Sequence, residues 1–273
     1  MVSKGSAAQG TVFRAGMFTN GNPQTNYLNF ISVMATEDGT RVNFSGLPTG
    51  IDIENFNGEP NIPEVTLDEG ESYIIATNAA TNSINRDGLI GTLIQSDKNI
   101  VVNTGSANGS FGTGGARDYG LDQIVDISKI GTEYIFVRGS GADDWENVLI
   151  VAHEDNTDIR VAGSALAVIN AGEYFVIEGD NYSSNDNMYV KTSKPAFAYQ
   201  GIGGLANNGS PSEANQGMFF VPPLSCESRG NVDNIAQIEK IGSTTFDGGI
   251  TIGTQHDSCI LINKQHISTF SPD

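Results

Sequence analysis

The 273-residue chain has few positive charges, with 14 Lys and Arg against 32 Asp and Glu and a formal net charge of −18. Recognition of nucleic-acid phosphates needs clustered Lys and Arg, so this balance argues against a nucleic-acid partner. It argues equally against binding to an anionic membrane surface. An acidic surface suits a soluble secreted protein and is also compatible with calcium binding.

Long hydrophobic runs are missing as well. No stretch reaches the ~18 consecutive apolar residues of a membrane-spanning helix, so we expect no direct membrane insertion. Residues 1–9 contain a lysine with no apolar segment behind it, which is typical of a leader or tag rather than a signal peptide. We therefore expect the chain to be one piece of a larger protein.

Cysteine is scarce, since only Cys226 and Cys259 are present. A disulfide between them would stabilise the fold by about 3–4 kcal/mol if loop-closure entropy is the cause. It would also indicate an oxidising compartment. Two buried free thiols are the alternative.

Catalytic motifs are absent too. The sequence has no Gly-x-Ser-x-Gly nucleophile elbow, and the glycine-rich segment 112–115 lacks the Lys-Ser/Thr of a phosphate-binding loop. Three histidines are present, without the spacing of a zinc motif. These absences predict a protein that is not an enzyme. A carbohydrate-active enzyme using Asp143 and Glu146 is the disfavoured alternative, because catalytic carboxylates lie about 5–9.5 Å apart across a cleft and these two share one short loop.

What the sequence does contain is a repeated series of segments. Segment 33–42 recurs as 150–159, each centred on Glu-Asp-(Gly or Asn)-Thr. Three more pairs of similar segments keep the same order along the chain. One lies upstream, 10–13 with 131–134, and two lie downstream, 65–73 with 168–174 and 94–100 with 190–196. Four ordered pairs indicate one structural unit used at least twice. We expect unit 1 at 10–112, unit 2 at 113–220 and a partial third unit at 221–273.

Short apolar runs bounded by Gly, Asn, Asp and Pro are typical of β-strands. In unit 1 they predict strands at 12–18, 27–35, 40–45, 72–77, 92–95 and 100–104. In unit 2 they predict strands at 134–138, 147–153, 158–162, 173–178, 188–192 and 196–201. The predicted fold is all-β, with tandem antiparallel β-sandwich-like repeat units, and β-propeller-like blades are the alternative. A helical period occurs at 231–242, where a strand is equally possible.

Each Glu-Asp-x-Thr motif joins two predicted strands and predicts a hairpin turn, because Gly and Asn tolerate positive φ. The paired carboxylates of the motifs are also candidate calcium ligands. The oxygen-rich loop 180–187 adds two more, since calcium takes 6–8 oxygen ligands. The candidate metal ligands are Glu37, Asp38, Glu154, Asp155, Asp180 and Asp186. Loop 180–187 does not follow EF-hand spacing, and a solvated loop is the alternative.

A second candidate site is the loop Asp143-Asp144-Trp145-Glu146, which contains the single tryptophan of the chain. A tryptophan offers a flat apolar face to a sugar ring, and neighbouring acids accept hydrogen bonds from hydroxyl groups. The loop therefore predicts a ligand-binding site. A calcium site and a solvated loop are the alternatives.

An ordered series of segments runs through unit 2. It comprises Gly-Thr-Glu-Tyr at 131–134, Val-Leu-Ile-Val-Ala at 148–152, Asp-Asn-Thr at 155–157, Gly-Glu-Tyr at 172–174, Lys-Thr-Ser-Lys-Pro at 191–195 and Gly-Ile-Gly-Gly at 201–204. The series resembles the N-terminal region of IgG-Fc-binding-protein-like proteins, as found in animal mucus proteins and in large secreted, adhesin-like proteins of gliding Bacteroidetes. The resemblance implies an extracellular, cell-surface adhesion or ligand-binding region without catalysis. Its partners would be glycans or cell-surface proteins, and a structural spacer is the alternative.

Overall fold

The computed structural model describes residues 4–20, 29–54, 62–77, 83–112, 118–205, 211–224, 240–245, 261–262 and 265–266. The chain divides into two compact parts, Met1–Cys226 and Glu227–Asp273. Within the described residues, the larger part contains two antiparallel sheets of seven strands each, one short α-helix, α1 (Ser83–Asp87), and three 3-10 helices at Gly5–Ala8, Ile127–Lys129 and Gly179–Asn181. The predicted all-β fold is confirmed.

The first sheet follows the first set of sequence segments. Its strands are β1 (Gly10–Arg14), β2 (Asn29–Ala35), β3 (Thr40–Ser45), β4 (Val65–Leu67), β5 (Ser72–Ala76), β6 (Leu93–Gly109) and β7 (Asp118–Ile124). The strand order is β4-β3-β6-β2-β5, and β1 and β7 also pair with β6. The long strand β6 is therefore the centre of this sheet.

The second sheet repeats this topology. Its strands are β8 (Gly131–Val137), β9 (Val148–Ala152), β10 (Thr157–Val161), β11 (Ser164–Ile169), β12 (Tyr174–Ile177), β13 (Asn187–Leu205) and β14 (Pro211–Phe220). The order is β11-β10-β13-β9-β12, with β8 and β14 paired to β13. Each strand thus has a counterpart seven strands later. A nearly closed seven-stranded sheet is larger than a four-stranded propeller blade, so the sandwich-like prediction is confirmed rather than its alternative.

The two long strands change partners along their length. In β6, residues 93–96 pair with β3, whereas residues 100–106 pair with β2. In β13, residues 190–192 pair with β10 and residues 196–200 pair with β9. We predicted two separate strands in each case, because polar residues interrupt the apolar pattern. Those residues instead mark the place where one continuous strand crosses to its second partner, which lets the sheet fold over its own core.

Several elements lie outside the sequence-based expectations. Strands β4, β7, β11 and β14 were not predicted, and β7 pairs with the first sheet although it lies in the range expected for unit 2. Residues 4–9 of the segment expected to be a leader pack on the first sheet, where Lys4 Nζ donates to Asp122 Oδ2 at 2.5 Å.

The smaller part, Glu227–Asp273, contains four short strands in its described residues. They are β15 (Lys240–Ile241), β16 (Thr244–Thr245), β17 (Leu261–Ile262) and β18 (Gln265–His266). β15 pairs with β16, and β17 pairs with β18. Both cysteines, and most of the candidate helix at 231–242, lie outside the described residues.

Strand β2 shows how sequence alternation sets the core of the first sheet. Ile31, Val33 and Ala35 are buried, whereas the intervening Ser32 and Met34 lie on the outer face. Successive side chains of a strand point to opposite faces, so one face fills the interior and the other faces outward. The first sheet therefore has an apolar interior and a mixed outer face.

Strand β9, the counterpart of β2, is buried on both faces. Val148 and Ile150 belong to the apolar interior of the second sheet. Leu149 and Val151, on the opposite face, pack with the core residues of the first sheet. A strand covered on both sides needs a continuous apolar run, which is the sequence of β9. Burying each of these side chains stabilises the fold by about 1.5–3 kcal/mol.

Candidate binding surface

The two Glu-Asp-x-Thr motifs form equivalent turns. Thr40 Oγ1 donates to the Glu37 carbonyl at 2.7 Å, and Thr157 Oγ1 donates to the Glu154 carbonyl at 2.8 Å. The residue before each threonine has positive φ, 63° for the glycine and 54° for the asparagine. The turns connect β2 to β3 and β9 to β10, but the long strands β6 and β13 lie between the joined strands. The prediction that each motif forms a hairpin is therefore wrong. Each turn instead connects two strands that lie on either side of a long strand and do not pair with each other.

The aspartates of these motifs hold neighbouring backbone in place. Asp38 Oδ1 accepts the N–H of Glu69, and Asp155 Oδ1 accepts the N–H of Ala171, both at 3.0 Å. These bonds tie each motif to the turn before β5 or β12. Across the described residues, no three or more His, Cys, Asp or Glu side chains form a group that could hold a metal ion. Calcium binding at the motifs stays a prediction.

The loop with the single tryptophan is anchored in the interior. Trp145 is 5% exposed, and a Cβ added to Gly112 would lie 2.6 Å from Trp145 Cε2, so the ring packs directly on that glycine. Its face is therefore not offered to a sugar in this structure. Of the four predicted ligand-binding residues, Asp143 and Asp144 are the exposed ones.

Glu146 is fully buried and organises the loop around it. Its Oε2 accepts the N–H of Gly139 at 2.8 Å, and its Oε1 accepts the N–H groups of Gly141 at 2.7 Å and Gly203 at 3.0 Å. A Cβ on Gly139 or Gly141 would collide with the carboxylate at 2.8 Å, so the glycines permit this approach. Glu146 is committed to backbone donors rather than to a ligand.

Hydrogen bonds hold Glu178 and Gly179, which directly precede the predicted loop 180–187, against the loop that contains Trp145. Gly179 N donates to the Asp143 carbonyl at 3.0 Å, and Asn147 Nδ2 donates to Glu178 Oε2 at 2.7 Å. The contacts place two loops that are distant in sequence on one surface. We call this surface the acidic edge, and it comprises Asp143, Asp144, Glu178 and Asp180.

Arg138 supports the same end of the second sheet. Its Nη2 lies 2.6 Å from Asp143 Oδ1, and its backbone N–H donates to the Asp186 carbonyl at 2.9 Å. Asp186, a predicted metal ligand, is thus held beside the acidic edge. The motif acids Glu37, Asp38, Glu154 and Asp155 belong to the two turns described above and not to this surface.

Glu178 is the member of the acidic edge that the sequence did not single out. Partial burial raises the pKa of its carboxyl group, the negative charges of Asp180 and Asp144 raise the pKa further, and the hydrogen bond from Asn147 opposes them. A raised carboxyl pKa shows that ionisation is unfavourable at this position. Burial is the largest cause of this raised pKa, and the like charges of Asp180 and Asp144 add to it, so the three carboxylates lie close enough to interact.

We expect Glu178→Gln to remove a pH-dependent loss of stability. Because the folded pKa lies above the ordinary value of 4.5, the wild-type residue contributes stability below that value and loses it as pH rises through the folded pKa. The variant should therefore have a higher free energy of unfolding than wild type at pH 7, with no advantage near pH 4. Urea titrations across this range measure it, with exposed Glu64→Gln as the control. A variant that keeps the wild-type pH slope would contradict the assignment.

The geometry defines a duplicated all-β module with a loop-built acidic surface. A family model described as IgGFc binding protein matches residues 1–272. The chain therefore belongs to the IgGFc binding protein family, which is a family of binding modules, and the resemblance seen in the sequence is confirmed. No curated protein and no solved structure shows significant similarity to the chain. No helix within the described residues is long and apolar enough to span a bilayer.

Proposed function

We propose that this chain is an extracellular adhesion region of a larger secreted or cell-surface protein, and that it binds a protein ligand through the acidic edge without catalysis. The observation that carries this proposal is the meeting of Asp143, Asp144, Glu178 and Asp180 on one surface, fixed by Gly179 N–H to Asp143 O and by Asn147 to Glu178. The family's binding role supports a protein as the ligand.

The buried residues that hold the acidic edge in place favour a binding function for it. Buried Trp145 and Glu146 fix the loop that carries Asp143 and Asp144, so those carboxylates are held in place before a ligand arrives. Binding residues commonly lie on loops positioned by a rigid scaffold. Exposed charges of one sign select a partner of the opposite sign and raise the association rate. The expected ligand is a protein with a basic surface.

The ligand test compares charge-matched variants. Asp144→Asn/Asp180→Asn should weaken binding at low salt by about tenfold, with most of the change in the association rate. Glu64→Gln/Glu69→Gln removes the same charge from exposed positions of the first sheet and should retain wild-type affinity. Surface plasmon resonance against proteins extracted from mucus and cell surfaces, run beside a glycan array, measures both. An equal loss of affinity in the two variants would show that net charge alone causes the effect. Binding to glycans but to no protein would contradict the proposal of a protein ligand.

Calcium binding is a further proposal. It rests on the carboxylate oxygens of the candidate ligands Glu37, Asp38, Glu154, Asp155, Asp180 and Asp186, which are of the kind that calcium prefers, although no three or more such side chains of the described residues come together in one group. Calcium binding to the folded state alone would raise the melting temperature. Melting scans with calcium and with chelator therefore test this proposal, and identical curves would contradict it.

A spacer is the second candidate function, favoured by the shared core that joins the two sheets into one compact part. A spacer has no ligand, so the acidic-edge variants separate the two functions. Trp145→Ala does not separate them, because a buried tryptophan reports mainly on stability. Catalysis by Asp143 and Glu146 gains no support, since the Glu146 carboxylate is buried and hydrogen-bonded to three backbone N–H groups.

A further inference from the structure

A cavity of about 380 Å³ lies between the outer face of the first sheet and the segment that precedes β1. Strands β2, β6 and β7 form its floor, and the 3-10 helix Gly5–Ala8 with the residue after it forms its wall. Ligand pockets in proteins have volumes of about 300–1,000 Å³, so this one is large enough for a small ring compound. The floor consists of Met34, Val101, Asn103 and Gln123, and the wall includes Ser6 and Gln9.

The strand register arranges the outer face at this place in two rows. Asn103 pairs with Ser32 on one side and with Gln123 on the other, which sets three polar side chains in line across the sheet. Two residues earlier on β6, Val101 pairs with Met34 and forms an apolar row on the same face. The floor therefore offers an apolar patch beside a line of hydroxyl and amide groups.

Gln123 lines the cavity with a donor that the protein does not use. The residue is 5% exposed, and its Oε1 accepts the backbone N–H of Lys4. Its Nε2 donates to no acceptor within the described part of the chain. Because buried polar groups normally have hydrogen-bond partners, this amide nitrogen is left for a molecule in the cavity. The Asn103 side chain also has no hydrogen bond to a described residue, which adds a donor and an acceptor.

The second sheet shows that the fold does not require polar side chains in this row. By the register of the duplicated strands, Asn103 corresponds to Tyr199 and Gln123 corresponds to Phe220. Both aromatic side chains are buried and pack with the core of the first sheet. The two units thus use the same face differently, since the second unit packs it against a neighbour and the first unit lines a cavity with amides.

The charge of the lining narrows the class of ligand. Among the described residues that line the cavity none is charged, although the chain carries a net charge of −18. Lys4, which holds Gln123 in place, already donates from Nζ to Asp122 Oδ2 at 2.5 Å. An anionic ligand would find no free counter-ion here and would be repelled by the acidic surface. The lining instead fits a neutral molecule with hydroxyl groups on its rim and an apolar face, which describes a sugar ring.

We propose that this cavity binds a neutral sugar residue of a glycan. The C–H face of the ring lies on Met34 and Val101, and its hydroxyl groups bond to the amides of Asn103 and Gln123. The site is additional to the acidic edge and does not rest on the proposed protein ligand. A single ring contacts few atoms, so the expected dissociation constant is about 1–10 mM. Salt should change this affinity little, whereas it should weaken the capture of a basic protein.

Titration of the full chain by NMR tests the proposal with glucose, galactose, mannose, fucose, N-acetylglucosamine and N-acetylgalactosamine. At least one of these sugars should bind saturably, and N-acetylneuraminic acid should bind about tenfold or more weakly because of its carboxylate. Ser6→Phe should fill the cavity from its exposed wall and raise the dissociation constant about tenfold or more. Ala7→Phe is the matched control, because Ala7 is exposed on the same 3-10 helix but does not line the cavity, and it should bind as wild type does.

A second pair of variants tests the floor. Asn103→Leu keeps the size of the side chain but removes its donor and acceptor, and it should also weaken binding about tenfold or more. Asn43→Leu makes the same change at an exposed position of β3 that does not line the cavity, and it should retain wild-type affinity. Circular dichroism of each variant confirms that its fold is retained.

The outcomes distinguish this site from the acidic edge. Asp144→Asn/Asp180→Asn should bind the sugar as wild type does, and Ser6→Phe should keep the affinity for a protein ligand, so either proposal can fail alone. The proposal would be overturned if no sugar of the panel bound saturably or if N-acetylneuraminic acid bound as tightly as the neutral sugars. Wild-type affinity of Ser6→Phe, or an equal loss in Ala7→Phe, would overturn it as well.

Discussion

Glu146→Ala is expected to lower the free energy of unfolding by about 3–5 kcal/mol, the range for removing one partner of a buried charged network. The substitution leaves the N–H groups of Gly139, Gly141 and Gly203 without their acceptor, and each unsatisfied buried donor costs about 1–3 kcal/mol. Water entering the space would moderate the loss, which keeps the expected value below the sum. Urea titration followed by circular dichroism measures it.

Two variants sharpen this test. Glu146→Gln keeps the shape and one acceptor oxygen, but its amide nitrogen would face a backbone donor, so about 1–3 kcal/mol should be lost. Asp144→Asn changes a neighbouring exposed carboxylate and should stay within about 0.5 kcal/mol of wild type. Equal stability of Glu146→Ala and Asp144→Asn would contradict the structural role of Glu146.

The first sheet also has a buried polar residue, Asn29, at the place that corresponds to Glu146. Asn29 stands at the start of β2, is 1% exposed, and donates from Nδ2 to the carbonyls of Arg86 at 2.7 Å and Phe18 at 3.1 Å. Both units thus use one buried polar side chain to fix the loops beside the first inner strand. Extending the sequence pair 33–42 and 150–159 a few residues upstream would have aligned Asn29 with Glu146 and revealed this signal.

The sequence alone was sufficient to recognise the duplication, but it was not sufficient to predict which strands pair with each other. The segments around Asp38 and Asp155 align because their turns need the same hydrogen bonds, so the repeat was visible in the residues themselves. Whether β2 and β3 pair with each other depends on where β6 lies, and that is decided by contacts between residues far apart in sequence. The hairpin prediction failed for this reason.

The burial of Trp145 and Glu146 was the other feature that the sequence could not predict. A tryptophan flanked by acids looks like an exposed binding loop, and the position of Trp145 against Gly112 depends on packing that no local pattern encodes. Asp143 and Asp144 were identified from the loop itself. Their proximity to Glu178 follows from the two hydrogen bonds that join distant loops, so the acidic edge as a surface needed the structure.

The second large effect is expected at Gly91, which packs tightly against Gly172 of the second unit. Gly91 has φ +82°, and a Cβ there would lie 1.8 Å from the carbonyl oxygen of Gly172 on the second sheet. Left-handed backbone costs a residue other than glycine about 1–2 kcal/mol, and the backbone collision adds to that cost because neither turn can move without opening the shared core. We expect Gly91→Ala to lose about 4 kcal/mol or more in urea titrations, which is the range of exceptional core substitutions.

Alanine variants at two further glycines distinguish the cost of the backbone collision from the cost of the left-handed backbone. Gly70 and Gly172 are counterparts in the two units with nearly equal φ, +82° and +83°. A Cβ on Gly70 meets nothing within 4 Å, so Gly70→Ala should lose only about 1–2 kcal/mol. A Cβ on Gly172 would lie 3.1 Å from Nη1 of Arg14, a buried group that donates to the Gly91 carbonyl at 2.8 Å, so Gly172→Ala should lose more than Gly70→Ala. If Gly91→Ala cost no more than Gly70→Ala, the tight contact between the sheets would be disproved. A larger loss at Gly91, with faster amide exchange in β1 and β12 than in β3, would show that the contact between the sheets holds the two units together.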